Sequence, residues 1–593
     1  MATGSTDSRT SSAAQARPIA AVDAVATAVA TPKDATSAAV NTKPELKKDN
    51  QLSQEEETRK ALLLKQLPEH RVFSNFVEIM QIPRASHKEQ RVRDWAIQKG
   101  TENGCSVETD NHGNLLLRRP ASPGYEKAPK VAIQAHMDMV CEQANGKLHN
   151  FDVDPISGYV EDGWLKADRT TLGADNGIGV AAAVAILQEP KLKAGQIEIL
   201  LTSAEEKDMQ GAAALSPGFL DSDIMINVDS ESEHQICAGS AGGFGKHITK
   251  QAKRSATPDE DVGISIEIGN LAGGHTGVDI HEQRANAILV WGRLMGNLIE
   301  SDIDLRMVSV DGGSAHNAIP RQLQAVFYIP HKDLAMATKI LKDQFRVIHK
   351  EYENFEANNR WVLNISRFED FRHFPSLTEE ESRKMVDTIM FHTDGVERMN
   401  GGGIEGVETS VTLSKLKLNP ITGQYNLEYF ARSSNPSRLN LLNQRLNALA
   451  RLNDAVASEK QRPFPEWTPR VKSKALSKAI DSHVSLFKTS PPTFAVHAGL
   501  ECGIIAKKFP NLDIISIGPT ILGAHTIEER LKVDSVIPFY KWLLQMVKEI
   551  SDGKKSKTDS KSSTDSKDSS LSTKDTKDSI VSIKEQLVVS PSA

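Results

Sequence analysis

The sequence has little cysteine, no long apolar run and no large charge imbalance, and each shortage excludes a class of protein. Only four cysteines occur in 593 residues, Cys105, Cys141, Cys237 and Cys502, widely spaced and without a C-x-x-C pair. That excludes a disulfide-stapled scaffold and a thiolate metal site, and it suits a reducing compartment. No apolar segment approaches the roughly 18 residues that a membrane span requires. The net charge is −6 with 25% charged residues, which argues against nucleic acid or a membrane surface as partner. A phosphate loop is missing too. Gly273-Gly274-His275-Thr276-Gly277 has neither the G-x-x-x-x-G-K-[ST] pattern nor a strand-G-x-G-x-x-G context. The cytoplasm is the expected location.

The chain is longer than one hydrophobic core usually supports, so two domains with tails are expected. Residues 1–59 are rich in Ala, Ser and Thr, and the apolar segment Ile19 to Ala30 is broken by Asp23 with no basic region before it. This argues against a secretory signal and for a disordered extension. Sparse acids before Glu45, with Arg9 and Arg17, leave an organellar presequence as the alternative. Residues 551–593, with KSKTDSKSSTDSKDSS, read as a disordered low-complexity tail.

Between the tails, folded structure is expected from Thr58. Phe73, Phe76, Val77, Ile79 and Met80 mark a helix face, and Ser86 with Glu89 reads as a capping box for a helix over Lys88 to Asn103. Residues 60–245 alternate strand and helix as the first part of an α/β domain with a central mixed sheet flanked by helices. Residues 246–468 read as an inserted α+β domain, and 469–550 return to the first sheet, closing with a helix near Val536 to Ile550.

The informative stretches are strand ends. Lys130 to Asp138 (KVAIQAHMD) is an apolar run that ends in His136 and Asp138, two residues apart and so able to project to one side. Ile197 to Thr202 leads into Glu205 and Glu206, Ile224 to Val228 into Asp229, and Leu512 to Ile517 into Gly518-Pro519-Thr520 and His525. Asp175 opens the alanine-rich helix that follows Gly173. Taken alone, an Asp in such a place is a turn or cap residue. Converging on the crevice where open α/β sheets place ligands, the set would repel itself and be costly to desolvate unless cations sat among its members. Nitrogen and oxygen ligands of this kind suit zinc, manganese or cobalt.

The strings AHMDMVCE, TTLGADNGIGVA, TSAEEKDMQGA, INVDSES, AGGFG, AGGHTGVDIH, NAIPR, ARSSNPS, HAGLECG and SIGPT, in this order, resemble the metallopeptidase M20 family over roughly residues 60 to 550. Within it they are most similar to the aminoacyl-histidine (Xaa-His) dipeptidases, also called cytosol non-specific dipeptidases. The resemblance implies a zinc-peptidase-like catalytic domain, a lid formed by the insert, a homodimer formed through the lid, and two divalent metal ions, zinc first. It implies that His136 and Asp229 hold one ion, Glu206 and His525 the other, and that Asp175 bridges them. Asp138 would orient His136, Glu205 would be the general base toward a metal-bridged water, and the Asp175–Asn176 peptide would be cis.

The implied substrate is a dipeptide such as β-alanyl-histidine. His275 becomes an oxyanion-stabilising candidate, in its own or the partner subunit. Arg432 suits a carboxylate clamp, and Asn317 is a second lid candidate. His497 could touch substrate or satisfy buried backbone, and Glu501 could meet the substrate's amine. Two strings depart from the family. Around the late histidine, Ala524-His525-Thr526-Ile527-Glu528-Glu529 replaces a His-Ser-Pro-Asp-Glu-like string, and VETSVTLSKLKL diverges after Thr409 and Ser410. The alternatives are another M20 amidohydrolase, a carboxypeptidase or N-acyl amino acid deacylase, and a silent binding protein on the same fold.

Overall fold

The computed structural model of the chain describes residues 53–553, apart from 357–359, 369–374, 460–463 and 471. Of the extensions expected to be disordered, 1–59 and 551–593, the parts up to residue 52 and from residue 554 lie outside the described residues, whereas 54–59 and Ser551 are helical. The first helix, Gln54–Gln66, starts four residues before the expected Thr58, because Ser53 and Glu56 form a capping box there. Arg71–Met80 follows with Val72, Phe73, Phe76, Val77, Ile79 and Met80 all buried. Each such side chain contributes about 1.5–3 kcal/mol on leaving water.

The catalytic sheet has eight strands in the order Ser106–Thr109, Leu115–Arg119, Ile197–Thr202, Val131–His136, Ile224–Asn227, Asp513–Ser516, Ile236–Ser240 and Thr493–Val496. Four adjacent strands, from Ile197–Thr202 to Asp513–Ser516, are mutually parallel. Buried on both faces, they read in sequence as unbroken apolar runs. Their carboxyl ends lie side by side, so the residues that follow share one edge. The helix Ala174–Leu187 is buried along its whole length and packs on Val131–His136 and on Arg71–Met80. Its alanines permit that close approach. The closing helix, Val533–Ser551, buries Val536, Phe539, Leu543 and Val547.

The chain leaves this sheet at Ser240 and enters the lid with strand Gly242–Gln251. The lid sheet is antiparallel, in the order Val362–Phe368, Asp261–Gly269, Leu323–Pro330, Arg306–Gly312, Val407–Leu418, Gln424–Ser433, Gly242–Gln251 and Val456–Glu459, with Gly395–Met399 pairing Val407–Leu418. The helices Ala287–Ile299, Leu334–Glu351, Glu379–Phe391 and Pro436–Leu452 contribute to its core. A small four-stranded sheet, Ile521–Leu522, Arg530–Lys532, Trp164–Ala167 and Gly158–Glu161, carries the loop with His525.

Candidate metal centre and lid subsite

Asp175 is the hub. Its Oδ1 lies 3.1 Å from His136 Nε2 and its Oδ2 3.0 Å from His525 Nε2, so its two oxygens are divided between the two imidazoles. His136 Nε2 is also 3.3 Å from Asp229 Oδ1, and His525 Nε2 is 2.9 Å from Glu206 Oε2. The structure thus brings together the five expected ligands. Ligand atoms of His136, Asp175 and Glu206 all lie within 4.8 Å of one another. The Asp175–Asn176 peptide bond is cis, as the resemblance implies.

Burial opposes charge on His136, but Asp229, Asp138 and Asp175 together hold its pKa well above the usual value. Hydrogen bonds to Asp175 and Glu206 push His525 up to about 11. Asp175 is depressed despite its burial because both histidines bond to it. Burial raises Asp229 to about 6 against the pull of His136. Glu206 Oε1 is buried without a hydrogen-bond partner, a lone pair that costs free energy unless something electropositive meets it. Two imidazoles, three carboxylates and an orphaned carboxylate oxygen fit divalent cations with nitrogen and oxygen ligands.

Asp138 is buried and holds the site from behind. Its Oδ1 is 3.3 Å from His136 Nδ1 and accepts from Glu205 N–H at 3.1 Å. Its Oδ2 accepts from Glu206 N–H at 3.2 Å and from Ser86 Oγ–H at 2.7 Å. Against its burial, these bonds lower it to about 2. Ala204, with φ 50°, turns the chain before Glu205, and Glu89 Oε1 accepts from Ala204 N–H at 2.9 Å and His87 N–H at 2.8 Å. The expected capping box is therefore absent. The helix runs Gln90–Glu102 without a side-chain cap, because Ser86 is engaged by Asp138 and Glu89 reaches across to Ala204. Desolvation, opposed by His136, holds Glu205 well above the carboxylate range.

The lid contributes a second cluster. His275 Nδ1 accepts from Gly277 N–H at 3.1 Å and Val278 N–H at 3.0 Å, which leaves its proton on Nε2. That Nε2 is 3.4 Å from Arg432 Nη2. The two donors converge, and Thr276 Oγ1 is a neutral acceptor for Arg432 Nε and Nη2, each at 3.4 Å. Arg432 is 4% exposed, with its guanidinium carbon 4.6 Å from the Phe430 ring and 5.8 Å from the Phe464 ring. Burial lowers it to about 10. Asn317 precedes the strand residue Ala318 that pairs with His275, and its carbonyl accepts from Thr276 N–H at 2.8 Å.

His497 bridges lid and sheet. Its Nε2 lies 2.7 Å from Ser410 Oγ, and burial together with Arg432 lowers it to about 3. Beside it, a Cβ on Gly277 would lie 2.4 Å from the His497 carbonyl oxygen, so only glycine permits this approach. Glu501 corrects an expectation. At 2% exposure it is not presented to a substrate amine. Its Oε2 accepts from Gln134 Nε2–H and Thr202 Oγ–H, each at 2.7 Å, beneath the strand that carries His136.

Two contributors were missed. Arg84 is 3% exposed and donates from Nη1 to the carbonyls of Met137 at 3.0 Å and Asp138 at 2.6 Å, and from Nη2 to that of Gly173. Glu529 accepts three backbone N–H groups around Asp175. The one available signal was that Glu529 keeps the acid at the last position of the His-Ser-Pro-Asp-Glu-like string.

Comparison with known proteins agrees with this geometry. The family model "Peptidase family M20/M25/M40" matches residues 132–549. The cytosol non-specific dipeptidase of Escherichia coli (strain K12) is 32% identical over 487 residues, which is 82% of this chain and 99% of that protein. The solved aminoacylhistidine dipeptidase of Vibrio alginolyticus superposes with a TM-score of 0.76 at 31% identity, covering 82% of this chain and 98% of that one. No helix among the described residues is long and apolar enough to cross a membrane. With a divided carboxylate between two imidazoles at the strand ends and a family match across most of the folded chain, the protein belongs to peptidase family M20/M25/M40 and is a hydrolase of the metallopeptidase class.

Proposed function

We propose that the chain is a cytoplasmic dipeptidase that hydrolyses Xaa-His dipeptides such as β-alanyl-histidine, with two divalent cations, zinc foremost, held by His136, Asp175, Glu206, Asp229 and His525. The observation that carries the dipeptide reading is Arg432, a buried cation with no ion-pair partner among the described residues, set beside the free Nε2–H of His275. A buried unpaired charge is costly. A substrate's terminal carboxylate would supply the missing partner in the bidentate geometry that guanidinium favours.

When bound, the cations supply Lewis acidity and lower the pKa of water. The protein's own groups do the rest. Glu205 takes the proton from the attacking water as its oxygen bonds to the peptide carbon, and returns it to the amine nitrogen as the C–N bond breaks. Asp138 Oδ1, 3.3 Å from His136 Nδ1, is placed to take that N–H and so keep Nε2 as the free lone pair. Arg432 binds the terminal carboxylate, while His275 Nε2–H serves that carboxylate or the carbonyl oxygen.

The deciding experiment is a panel of β-alanyl-histidine, other dipeptides, a tripeptide and N-acetyl amino acids, run after chelation and again after metal re-addition. Cleavage confined to dipeptides and dependent on metal is expected. Cleavage of N-acetyl amino acids or longer peptides instead would assign the chain to another M20 amidohydrolase activity. The homodimer reading is supported by a lid groove of about 480 Å³ lined by Met390, Phe391, Leu449 and Leu452, with Phe391 78% and Leu452 77% exposed. Light scattering at micromolar concentration tests it, and a monomeric mass would refute it.

A further inference from the structure

The loop between strands Ile521–Leu522 and Arg530–Lys532 delivers two side chains to Asp175. His525 meets its carboxylate. Glu529, four residues on, grips its backbone. Glu529 Oε1 accepts from Asp175 N–H at 3.2 Å, and Oε2 accepts from Leu172 N–H at 2.7 Å and Gly173 N–H at 2.9 Å. The helix that begins at Ala174 has no side-chain cap of its own, and its N-cap, Gly173, sits at φ 70°. Two of its orphan N–H groups, those of Gly173 and Asp175, which a neighbouring Ser, Asp or Asn would ordinarily satisfy, are instead satisfied from about 350 residues away. Arg84 ties the same turn, through Gly173, to the strand end at Met137 and Asp138.

Helix capping alone does not account for an acid here. A local serine or asparagine would satisfy the same donors without burying another negative charge beside Asp175, Asp229 and Glu206. A further buried anion, at 3% exposure and offset in part by the Arg84 guanidinium, adds to the negative field of the site and is favourable once cations arrive. We propose that Glu529 is a positioning residue for the cation pair. It fixes the Leu172–Asp175 turn so that one oxygen of Asp175 faces His136 and the other faces His525 before any cation binds, and it adds its charge to the field that holds them. Arg84 keeps the turn and the His136 strand end in register. The inference rests on Asp175 being the shared ligand, and not on any particular substrate.

The test is calorimetric titration of the full-length metal-free protein with Zn²⁺, for wild type, Glu529→Gln and Glu529→Asp, with the apo fold checked by circular dichroism. The amide cannot accept at both of its ends, and affinity for Zn²⁺ is expected to fall about 10–100-fold, as for other supports behind metal ligands. The aspartate keeps the charge but is one methylene short, and is expected to fall between the two. Excess Zn²⁺ should restore kcat on the substrate that wild type cleaves, with KM unchanged. Wild-type affinity in both variants overturns the proposal. If the Gln variant loses its apo fold, the Asp variant decides. Loss of fold in both assigns Glu529 to structure alone and also overturns it. Because the titration needs no peptide, an affinity drop in a chain that cleaves no dipeptide would sink the dipeptidase reading and leave this one standing.

Discussion

Arg432→Met separates the cost of burying the guanidinium from its use. Burial lowers Arg432 to about 10, so the fold disfavours the charge by about 3 kcal/mol. Stacking on Phe430 and Phe464 returns up to about 2 kcal/mol. Methionine fills much of the same slot between the rings without a charge. The substrate-free variant should therefore be as stable as wild type, or more stable by about 1 kcal/mol, when unfolded in urea. Binding should move the other way. Two charge-assisted hydrogen bonds to a carboxylate are worth about 1.5–3 kcal/mol each, so kcat/KM for β-alanyl-histidine should fall by about 10²–10⁴. The control is the same dipeptide with its C-terminus amidated. Wild type should prefer the free acid, and the variant should treat acid and amide alike. If Arg432→Met keeps the preference for the free acid, the carboxylate clamp is refuted.

Glu205→Gln should retain metal near the wild-type level while turnover falls by about 10²–10⁴, checked by elemental analysis beside steady-state kinetics; retained turnover would remove Glu205 from the base role. His136→Ala and Asp175→Ala should lose metal together with activity, and full occupancy in either would mean that the ligands are misassigned. Metal binding should release protons, since His525 is held up to about 11 and His136 well above its usual value in the metal-free protein while a ligating imidazole must be neutral. Zn²⁺ titrations in buffers of different ionisation enthalpy should show that release, and affinity should rise with pH. For the same reason, the stability that His525 lends the metal-free fold is fully present below pH 6.5, its unfolded value, and is lost as pH rises through about 11; urea unfolding of the chelated protein from pH 6 to 10 would contradict this if that contribution grew.

What was legible in the sequence follows from burial. The parallel strands ending at His136, Thr202, Asn227 and Ser516 are covered on both faces and stand out as apolar runs. Chemistry at their carboxyl ends could then be read as a set. Ser86 and Glu89 matched a local pattern, S-x-x-E, that is usually a capping box, and the match misled because their partners are remote. Ser86 serves Asp138, 52 residues on, and Glu89 serves Ala204, 115 residues on. Glu501 carried the right chemistry at the wrong depth. Whether an acid at that helix start faces the crevice or lies beneath it depends on which strands flank it, and here Gln134 and Thr202 claim it.

Sheet order explains why the remaining supports were invisible. The strand Asp513–Ser516 returns after the whole lid and inserts between Ile224–Asn227 and Ile236–Ser240. Periodicity shows that a strand exists, but not the slot into which it docks. His525, Glu529 and the helix of Glu501 all arrive with that returning segment, so the proposed ligand set is split between two stretches of chain separated by the lid. His136, Asp175, Glu206 and Asp229 come from the first stretch, and the second imidazole and the grip on Asp175 come from the last. Until the returning strand docks, Asp175 has one imidazole and the Leu172–Asp175 turn has no acceptor for its N–H groups. Completing the proposed metal site therefore depends on the least local pairing in the catalytic sheet, that of Asp513–Ser516 with Ile224–Asn227.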